Sequence, residues 1–186
     1  MKKNTIQDIQ KLKDQNTPFA TITVYDYVSA QNADAVNIPL VLVGDSAAMV
    51  VYGMDNTIPI SMDELIFLVR AVKRGIKKAL VVADMPFMSY QTSVEDAVRN
   101  AGRFVKEGGA EAVKLEGGIS NSSQIRAIID AGIPVMGHVG LLPQSYHLIS
   151  GYRIQGKTQL EAEKIFNDAL AVQESGAFAI VLEGIP

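Results

Sequence analysis

The chain has 186 residues, of which 48% are hydrophobic and 20% charged, and its formal net charge at pH 7 is −3. This apolar content suffices for one packed domain and argues against a chain that is disordered overall. The slightly acidic balance excludes a nucleic-acid binder that relies on a basic surface, and it gives no polybasic membrane signal. Without cysteine there is no disulfide, thiolate zinc site or cysteine nucleophile, which fits a cytoplasmic location.

The first sixteen residues are polar and charged, so we do not expect a signal peptide. Ile6, Ile9 and Leu12 recur at helical spacing and predict an amphipathic N-terminal helix within residues 1–16. No apolar run approaches the roughly 18 residues that a membrane span needs.

Six short and nearly continuous apolar runs predict parallel strands that are buried on both faces. The runs are 19–24, 40–43, 79–83, 112–115, 133–136 and 178–182. Helices are predicted between them, because three residue pairs have the spacing of a capping box. These pairs are Ser61 with Glu64, Ser93 with Asp96, and Thr158 with Glu161. Asp26 is predicted to cap the short helix that follows the first strand.

Alternating strands and helices predict an α/β fold with a parallel sheet. The units recur about every 32 residues, and eight such units would need about 250 residues, the usual size of a (β/α)8 barrel. At this point two architectures fit six units: an open six-stranded sheet, or a barrel that lacks its last two units.

Both architectures place their chemistry at the carboxyl ends of the strands. Five of the six predicted strands carry ionisable groups there: Asp45, Asp84, Lys114 with Glu116, His138, and Glu183. A single acidic residue after a strand often caps the next helix, but five converging positions favour a functional site. Lys114 and Glu116 share one face of their strand, so each needs a partner or a ligand if that face is buried.

Three carboxylates, Asp45, Asp84 and Glu116, favour a hard cation such as Mg²⁺ in a chain without cysteine. A salt-bridge cluster around Lys114 is the alternative. Glu183 is a candidate general base if its surroundings raise its pKa. His138 is either a base, an orienting donor or a core histidine, and His147 is predicted to lie on the surface.

Residues 151–158 match the pattern of a phosphate-binding P-loop, G-x-x-x-x-G-K-[ST]. A P-loop needs a strand that leads into it, and residues 144–148 are too polar for one. The segment is therefore predicted to be a long active-site loop, with nucleotide binding as the less favoured alternative.

Taken together, the motifs resemble the ketopantoate hydroxymethyltransferase family. The segments that carry the resemblance occur in family order over nearly the whole chain. They are 21–27, Val43-Gly44-Asp45-Ser46, Ala83-Asp84-Met85-Pro86-Phe87, Val113-Lys114-Leu115-Glu116-Gly117-Gly118, Gly137-His138-Val139-Gly140, 143–145, 151–156 and Val181-Leu182-Glu183-Gly184.

The resemblance implies a (β/α)8 TIM barrel formed as a single domain over residues 1–186, with about six βα units present and the last two missing. We therefore expect a C-terminally truncated barrel whose first and sixth strands have exposed edges. The implied reaction transfers a hydroxymethyl group from 5,10-methylenetetrahydrofolate to 3-methyl-2-oxobutanoate, giving 2-dehydropantoate in pantothenate biosynthesis. Family members are homo-oligomers, commonly decamers.

The resemblance also implies roles for the residues at the strand ends. Mg²⁺ would be held by Asp45, Asp84 and Glu116. The 2-oxo acid would be contacted by Asp45, Ser46, Asp84 and Lys114, with His138 in the site. Glu183 would accept the C3 proton, and the resulting enolate would be stabilised by the metal.

Two other hypotheses stay open. One is a Mg²⁺-dependent enzyme of the phosphoenolpyruvate mutase or isocitrate lyase type, which forms an enolate from a 2-oxo acid without folate. The other is an inactive barrel fragment that acts only in assembly.

Overall fold

The computed structural model describes residues 2–186, so Met1, the first residue of the predicted N-terminal helix segment, lies outside the described residues. The strands are β1 (Ile22–Thr23), β2 (Leu40–Val43), β3 (Leu80–Asp84), β4 (Ala112–Glu116), β5 (Val135–Gly140) and β6 (Ala179–Glu183). The helices are α1 (Ile6–Asp14), α2 (Tyr27–Ala35), α3 (Ala47–Val50), α4 (Met62–Gly75), α5 (Val94–Arg103), α6 (Ser122–Asp130) and α7 (Gln159–Glu174). Within residues 2–186, no helix combines the length and the apolar character that crossing a membrane requires.

The six strands form one parallel sheet in the order β1-β2-β3-β4-β5-β6. A doubly wound open sheet reverses its strand order, whereas a barrel keeps its strands in chain order. Residues from all six strands line one cavity of about 610 Å³, so the sheet is curled around it. The expectation of about six βα units in a barrel-like α/β fold is therefore confirmed as a six-stranded, curled partial barrel.

The hydrophobic core has two layers, one on each face of the sheet. The outer layer lies between the strands and the surrounding helices, and it includes Val41, Val81 and Val113. The inner layer lies on the concave face, where Leu40, Leu80, Val82, Ala112 and Met136 pack with Ile9 of α1. Because both faces are covered, the strands are apolar at successive positions, as the sequence pattern predicts.

The predicted N-terminal helix is observed as α1, and it closes the amino-terminal end of the sheet. Its Ile9 is buried, and the preceding Asn4 fastens this segment to the chain just before β2 and β3. The Asn4 main-chain N–H donates to the Lys78 carbonyl at 2.7 Å, and Asn4 Nδ2 donates to the Pro39 carbonyl at 3.0 Å. The concave cavity is therefore covered at this end.

Two of the three predicted capping boxes are formed completely. Reciprocal capping boxes are formed by Ser61 with Glu64 and by Thr158 with Glu161. Ser93 makes only half of a box: its hydroxyl accepts from the Asp96 N–H, while the Asp96 carboxylate accepts from the hydroxyl of Thr92.

The helices α1 and α2 also begin at capping residues. Asp26 caps α2 as predicted, because its carboxylate accepts from the main-chain N–H groups of Val28 and Ser29. The box at the start of α1, formed by Thr5 and Asp8, was not predicted.

The observed strands and the predicted apolar runs end at different residues. β4 continues to Glu116 and β5 to Gly140, because their polar residues remain in the ladder. β1, by contrast, is only Ile22–Thr23, and among residues 2–186 it pairs only with β2. Apolar runs therefore mark the strands correctly but end before the polar residues that matter for the site.

Asp34 fastens α2 to the start of β3. The side chain is buried, and its Oδ1 accepts from the N–H groups of Lys78 at 2.8 Å and Ala79 at 2.9 Å. Burial by itself would raise the pKa of Asp34, but the main-chain N–H donors outweigh it and hold the pKa below its ordinary value. Ionised Asp34 therefore stabilises the folded chain.

We expect Asp34→Ala to lower the free energy of unfolding by about 2 kcal/mol at pH 7, because it leaves two N–H donors without their charged acceptor. The pKa of Asp34 is lower in the folded chain than its value of about 4 in the unfolded chain, so the stabilisation is present above about pH 4. The difference from wild type should shrink as the pH falls through the lowered pKa. Urea unfolding at several pH values measures it, and Asp130→Ala, an exposed aspartate on α6, is the control. A constant difference across this pH range would contradict the assignment.

Candidate active site

The strand register brings the predicted site residues together on the concave face. Lys114 is the register partner of Asp84 on β3, and Glu116 is the partner of His138 on β5. Asp45 follows the end of β2, and Glu183 ends β6. All of these residues line the same cavity, together with Ser46. The predicted convergence of ionisable groups at one rim is therefore observed.

The centre of the site is an ion pair between Lys114 and Asp84. Lys114 Nζ lies 2.8 Å from Asp84 Oδ1 and 2.8 Å from Asp84 Oδ2, and the two side chains are only 5% and 3% exposed. Burial alone would lower the pKa of Lys114, but the neighbouring charges of Asp84, Asp45 and Glu116 outweigh it and raise that pKa. The ammonium group is therefore held charged.

The site contains more carboxylates than this one cation can neutralise. Burial, and then the negative charge of Asp84, raise the pKa of Asp45 to about 7. Burial also raises the pKa of Glu116 to about 8, with Asp84 and Asp45 adding to the effect against the opposing charge of Lys114. Both shifts have the same physical cause, since a buried negative charge without sufficient compensation is unfavourable.

His138 is buried, but it is not a satisfied core histidine. Its Nδ1 lies 3.6 Å from Glu116 Oε1 and its Nε2 lies 3.3 Å from Glu183 Oε2. Neither ring nitrogen makes a hydrogen bond within the part of the chain that the structure describes. Burial lowers the pKa of His138, which favours the neutral ring. The ring therefore lies between two carboxylates, close to Glu183 through Nε2 and to Glu116 through Nδ1.

Glu183 has a different environment from the other carboxylates. Its side chain is 44% exposed, and its interaction with His138 holds its pKa below the ordinary value despite partial burial. A raised pKa is the predicted condition for Glu183 to act as a general base, and the structure does not meet this condition. Glu183 is instead an ionised carboxylate at neutral pH that faces the cavity.

The remaining sequence predictions concern Ser46, His147 and the loop after β5. Ser46 Oγ lies 2.8 Å from the hydroxyl of Tyr25, which orients it at the cavity wall. His147 is exposed, as predicted, with its ring edge-on to Tyr146.

No strand leads into residues 151–158: β5 ends at Gly140, and the next regular segment is the 3₁₀ turn Pro143–Ser145. The segment is therefore a loop, and its geometry is not that of a P-loop.

Two site residues were missed by sequence reasoning about charge, Gln144 and Tyr90. Both are buried, and they are joined by a hydrogen bond of 2.7 Å from the Tyr90 hydroxyl to Gln144 Oε1. Gln144 also contacts Asp45 and Glu116. Gln144 lies within one of the motif segments, but an uncharged amide in a loop gives no further signal of its role.

The donor set fits a hard divalent cation. Among residues 2–186 no three His, Asp or Glu side chains are already arranged to hold a metal ion, and Asp84 directs both of its oxygens to Lys114. However, Glu116 Oε1 is buried and has no hydrogen-bond partner within these residues. Three buried carboxylates share one ammonium group, so Asp45 and Glu116 retain their protons to a higher pH than usual, and such a cation could take the place of those protons. All of the donors are oxygens, which a hard cation prefers.

The fold and site together define a class: a parallel (β/α) barrel-type protein with an acidic polar site at the carboxyl ends of its strands. The comparison with known families is more specific. Residues 3–186 match the family model of ketopantoate hydroxymethyltransferase, and the chain belongs to this family.

Curated relatives agree with this assignment. The chain is 54% identical over 185 residues to a 3-methyl-2-oxobutanoate hydroxymethyltransferase of Geobacter metallireducens, covering 100% of the chain and 69% of that protein. It is 56% identical over 182 residues to the protein of the same name from Geobacter sulfurreducens, covering 98% of the chain and 68% of that protein. A Clostridium beijerinckii protein of this name is 50% identical, with 99% and 67% covered.

Solved structures show the same fold at low sequence identity. A phosphonopyruvate hydrolase in complex with oxalate and Mg²⁺ superposes with a TM-score of 0.74 at 14% identity, covering 97% of this chain and 63% of that one. A 2,3-dimethylmalate lyase, a member of the PEP mutase/isocitrate lyase superfamily, gives 0.69 at 15% identity, with 98% and 63% covered. The chain thus spans somewhat less than two thirds of the length of these structures.

We expect Lys114→Met to destabilise the chain by about 3–5 kcal/mol, because it leaves Asp84 buried without its cation. Millimolar Mg²⁺ should restore part of this loss, since a ligand that binds only the folded state stabilises it. Urea unfolding with and without Mg²⁺ measures both effects. Lys106→Met, at an exposed position, is the matched control and should change stability by less than about 0.5 kcal/mol. Equal stabilities of the two variants would contradict the central role of the ion pair.

Proposed function

We propose that this chain carries the chemistry of 3-methyl-2-oxobutanoate hydroxymethyltransferase: transfer of a hydroxymethyl group from 5,10-methylenetetrahydrofolate to 3-methyl-2-oxobutanoate. The observation that carries the proposal is that seven of the eight motif segments, which are scattered along the sequence, contribute residues to one cavity. The fold alone would not support it, because one barrel architecture hosts many reactions.

The cavity has features that suit a small branched 2-oxo acid. Its polar end contains the ammonium group of Lys114 and the hydroxyl of Ser46, which can bind carboxylate and keto oxygens. Its walls include Leu42, Met136 and Val181, which provide an apolar surface for the branched carbon end of the substrate. The oxygens and the hydrocarbon part of the acid are therefore recognised by different parts of one concave face.

Asp45, Asp84 and Glu116 are the residues that would hold Mg²⁺. When bound there, the ion would act as a Lewis acid toward the oxygens of the 2-oxo acid. Lys114 already contacts Asp84 and would remain within reach of a substrate oxygen. The orphaned Glu116 Oε1 and the raised pKa values of Asp45 and Glu116 support this assignment.

Glu183 is proposed to accept the proton from C3 of the substrate. Its lowered pKa keeps it ionised at neutral pH, and its position at the cavity gives it access to a bound ligand. His138 Nε2, 3.3 Å from Glu183 Oε2, orients the carboxylate. The electron pair left at C3 would then form a bond to the methylene carbon of the folate as one of its two C–N bonds breaks. Water would replace the remaining C–N bond, giving the hydroxymethyl group, and tetrahydrofolate would leave with protons on both of its nitrogen atoms. We propose these residue roles together with bound Mg²⁺, the folate co-substrate and a homo-oligomeric state.

The second candidate is a folate-independent enzyme of the phosphoenolpyruvate mutase or isocitrate lyase type. The structural similarity to such proteins is at 14–15% identity, which supports a shared fold only. The sequence identity of 50–56% to proteins named as the transferase favours the transferase. Dependence of product formation on 5,10-methylenetetrahydrofolate separates the two.

We expect the chain to exchange the C3 proton of 3-methyl-2-oxobutanoate for deuterium in D₂O with Mg²⁺, and Glu183→Gln to slow this exchange by about 10²–10⁴-fold, because an amide cannot accept the proton. Loss of the C3 signal in ¹H NMR, compared with buffer and Mg²⁺ alone, measures the rate. Glu163→Gln, on the exposed side of α7, is the matched control and should exchange at the wild-type rate.

The same samples separate the remaining hypotheses. Wild-type exchange in Glu183→Gln would remove Glu183 from the role of base. No exchange by a wild-type chain with dispersed amide signals would contradict the proposed chemistry in this chain and favour the inactive-fragment hypothesis.

A further inference from the structure

Gln144 connects the carboxylates of the site to the surrounding structure. It lies in the 3₁₀ turn Pro143–Ser145 after β5, and its side chain is buried. Its Nε2 donates to Asp45 Oδ2 at 2.9 Å and to the Met85 carbonyl at 2.8 Å. Its main-chain N–H donates to Glu116 Oε2 at 3.1 Å. One residue thus contacts the chain just after β2, just after β3 and at the end of β4.

The orientation of the Gln144 amide is fixed by its partners. Its Oε1 accepts from the Tyr90 hydroxyl at 2.7 Å and from Gln91 Nε2 at 3.1 Å. The two N–H groups and the two acceptor positions of the amide are therefore all used. A flipped amide would face Gln91 with a donor and Asp45 with an acceptor, so it would lose favourable contacts at both ends.

Tyr90 supports this arrangement from the other side. Its hydroxyl accepts from the Glu116 main-chain N–H at 3.1 Å, so its own proton is left for Gln144. Tyr90 is 1% exposed and belongs to the outer hydrophobic core, which holds its ring in place. The direction of the Gln144 amide is thus set by a rigid core residue and not by solvent.

We propose that Gln144 is a positioning residue that orients Asp45 and Glu116 for the cation and substrate. It occupies one oxygen of each carboxylate, Oδ2 of Asp45 and Oε2 of Glu116. For Glu116 this leaves Oε1, which lies 3.6 Å from His138 Nδ1, without a hydrogen-bond partner among the described residues. Groups that hold metal ligands in place commonly change metal affinity when they are removed, although they do not touch the ion. The inference rests on the proposed function, because it assumes that these carboxylates bind a divalent cation.

The test is the affinity of the purified chain for Mn²⁺, measured by electron paramagnetic resonance of the free ion. Gln144→Met keeps the length of the side chain but removes both amide functions, and we expect it to weaken Mn²⁺ binding by about 10–100-fold. Gln173→Met, the same change at an exposed position on α7, should bind Mn²⁺ like wild type. Thermal unfolding of each variant is recorded in parallel, because a purely structural role would lower the melting temperature without changing the Mn²⁺ affinity of the folded protein.

The outcomes separate this inference from the function on which it rests. Unchanged Mn²⁺ affinity in folded Gln144→Met overturns the positioning role and leaves the proposed function intact. No Mn²⁺ binding by wild type overturns the cation site of the proposed function, and the inference falls with it. If Gln144→Met does not fold, Tyr90→Phe decides: it removes the hydroxyl that fixes the amide, so weaker Mn²⁺ binding supports the role and wild-type affinity overturns it.

Discussion

The contact of Lys114 with both oxygens of Asp84 is the interaction on which the site depends. It places one cation among three buried carboxylates, and the register of β3 with β4 makes it possible. Such a pair contributes little net stability, because desolvating two charges offsets their attraction. Asp45 and Glu116 have raised pKa values because they are buried and because one ammonium group cannot neutralise all three carboxylates. A cationic ligand could take the place of the protons that these two carboxylates otherwise retain, and it would lower their pKa values.

Hydrophobic packing around the strands offsets the cost of burying these charged side chains. The strands are covered by helices outside and by the inner layer that Ile9 closes at the amino-terminal end. Apolar residues fill the concave face from that end up to Met136, and the charged residues occupy only its carboxyl end. The site is therefore confined to one end of an otherwise apolar interior. Every catalytic candidate is carried by a strand, or follows one closely, in a rigid sheet.

The sequence predicts the strands well because burial on both faces produces continuous apolar runs that stand out from the helical pattern. It places the carboxyl ends less well, since Glu116 and His138 interrupt these runs while remaining in the ladder. The charged site residues can be found from the sequence, because strand ends in a parallel fold converge. Gln144 cannot be found in this way: it is uncharged, it lies in a loop, and its contacts with Asp45 span 99 residues of sequence. Only the packed fold brings them together.

The carboxylates proposed to hold the cation are more firmly held than the carboxylate proposed to accept the proton. This difference affects the proposed proton transfer. Asp45, Asp84 and Glu116 are buried and tied by Lys114 and Gln144, whereas Glu183 is 44% exposed at the end of β6. Water can therefore reach the proposed base, whose pKa is held low by its contact with His138 despite partial burial. A substrate seated against Glu183 would displace that water, and burial raises the pKa of a carboxylate. In the proposed reaction the substrate itself would strengthen the base that deprotonates it, while the ligand side of the site keeps its geometry.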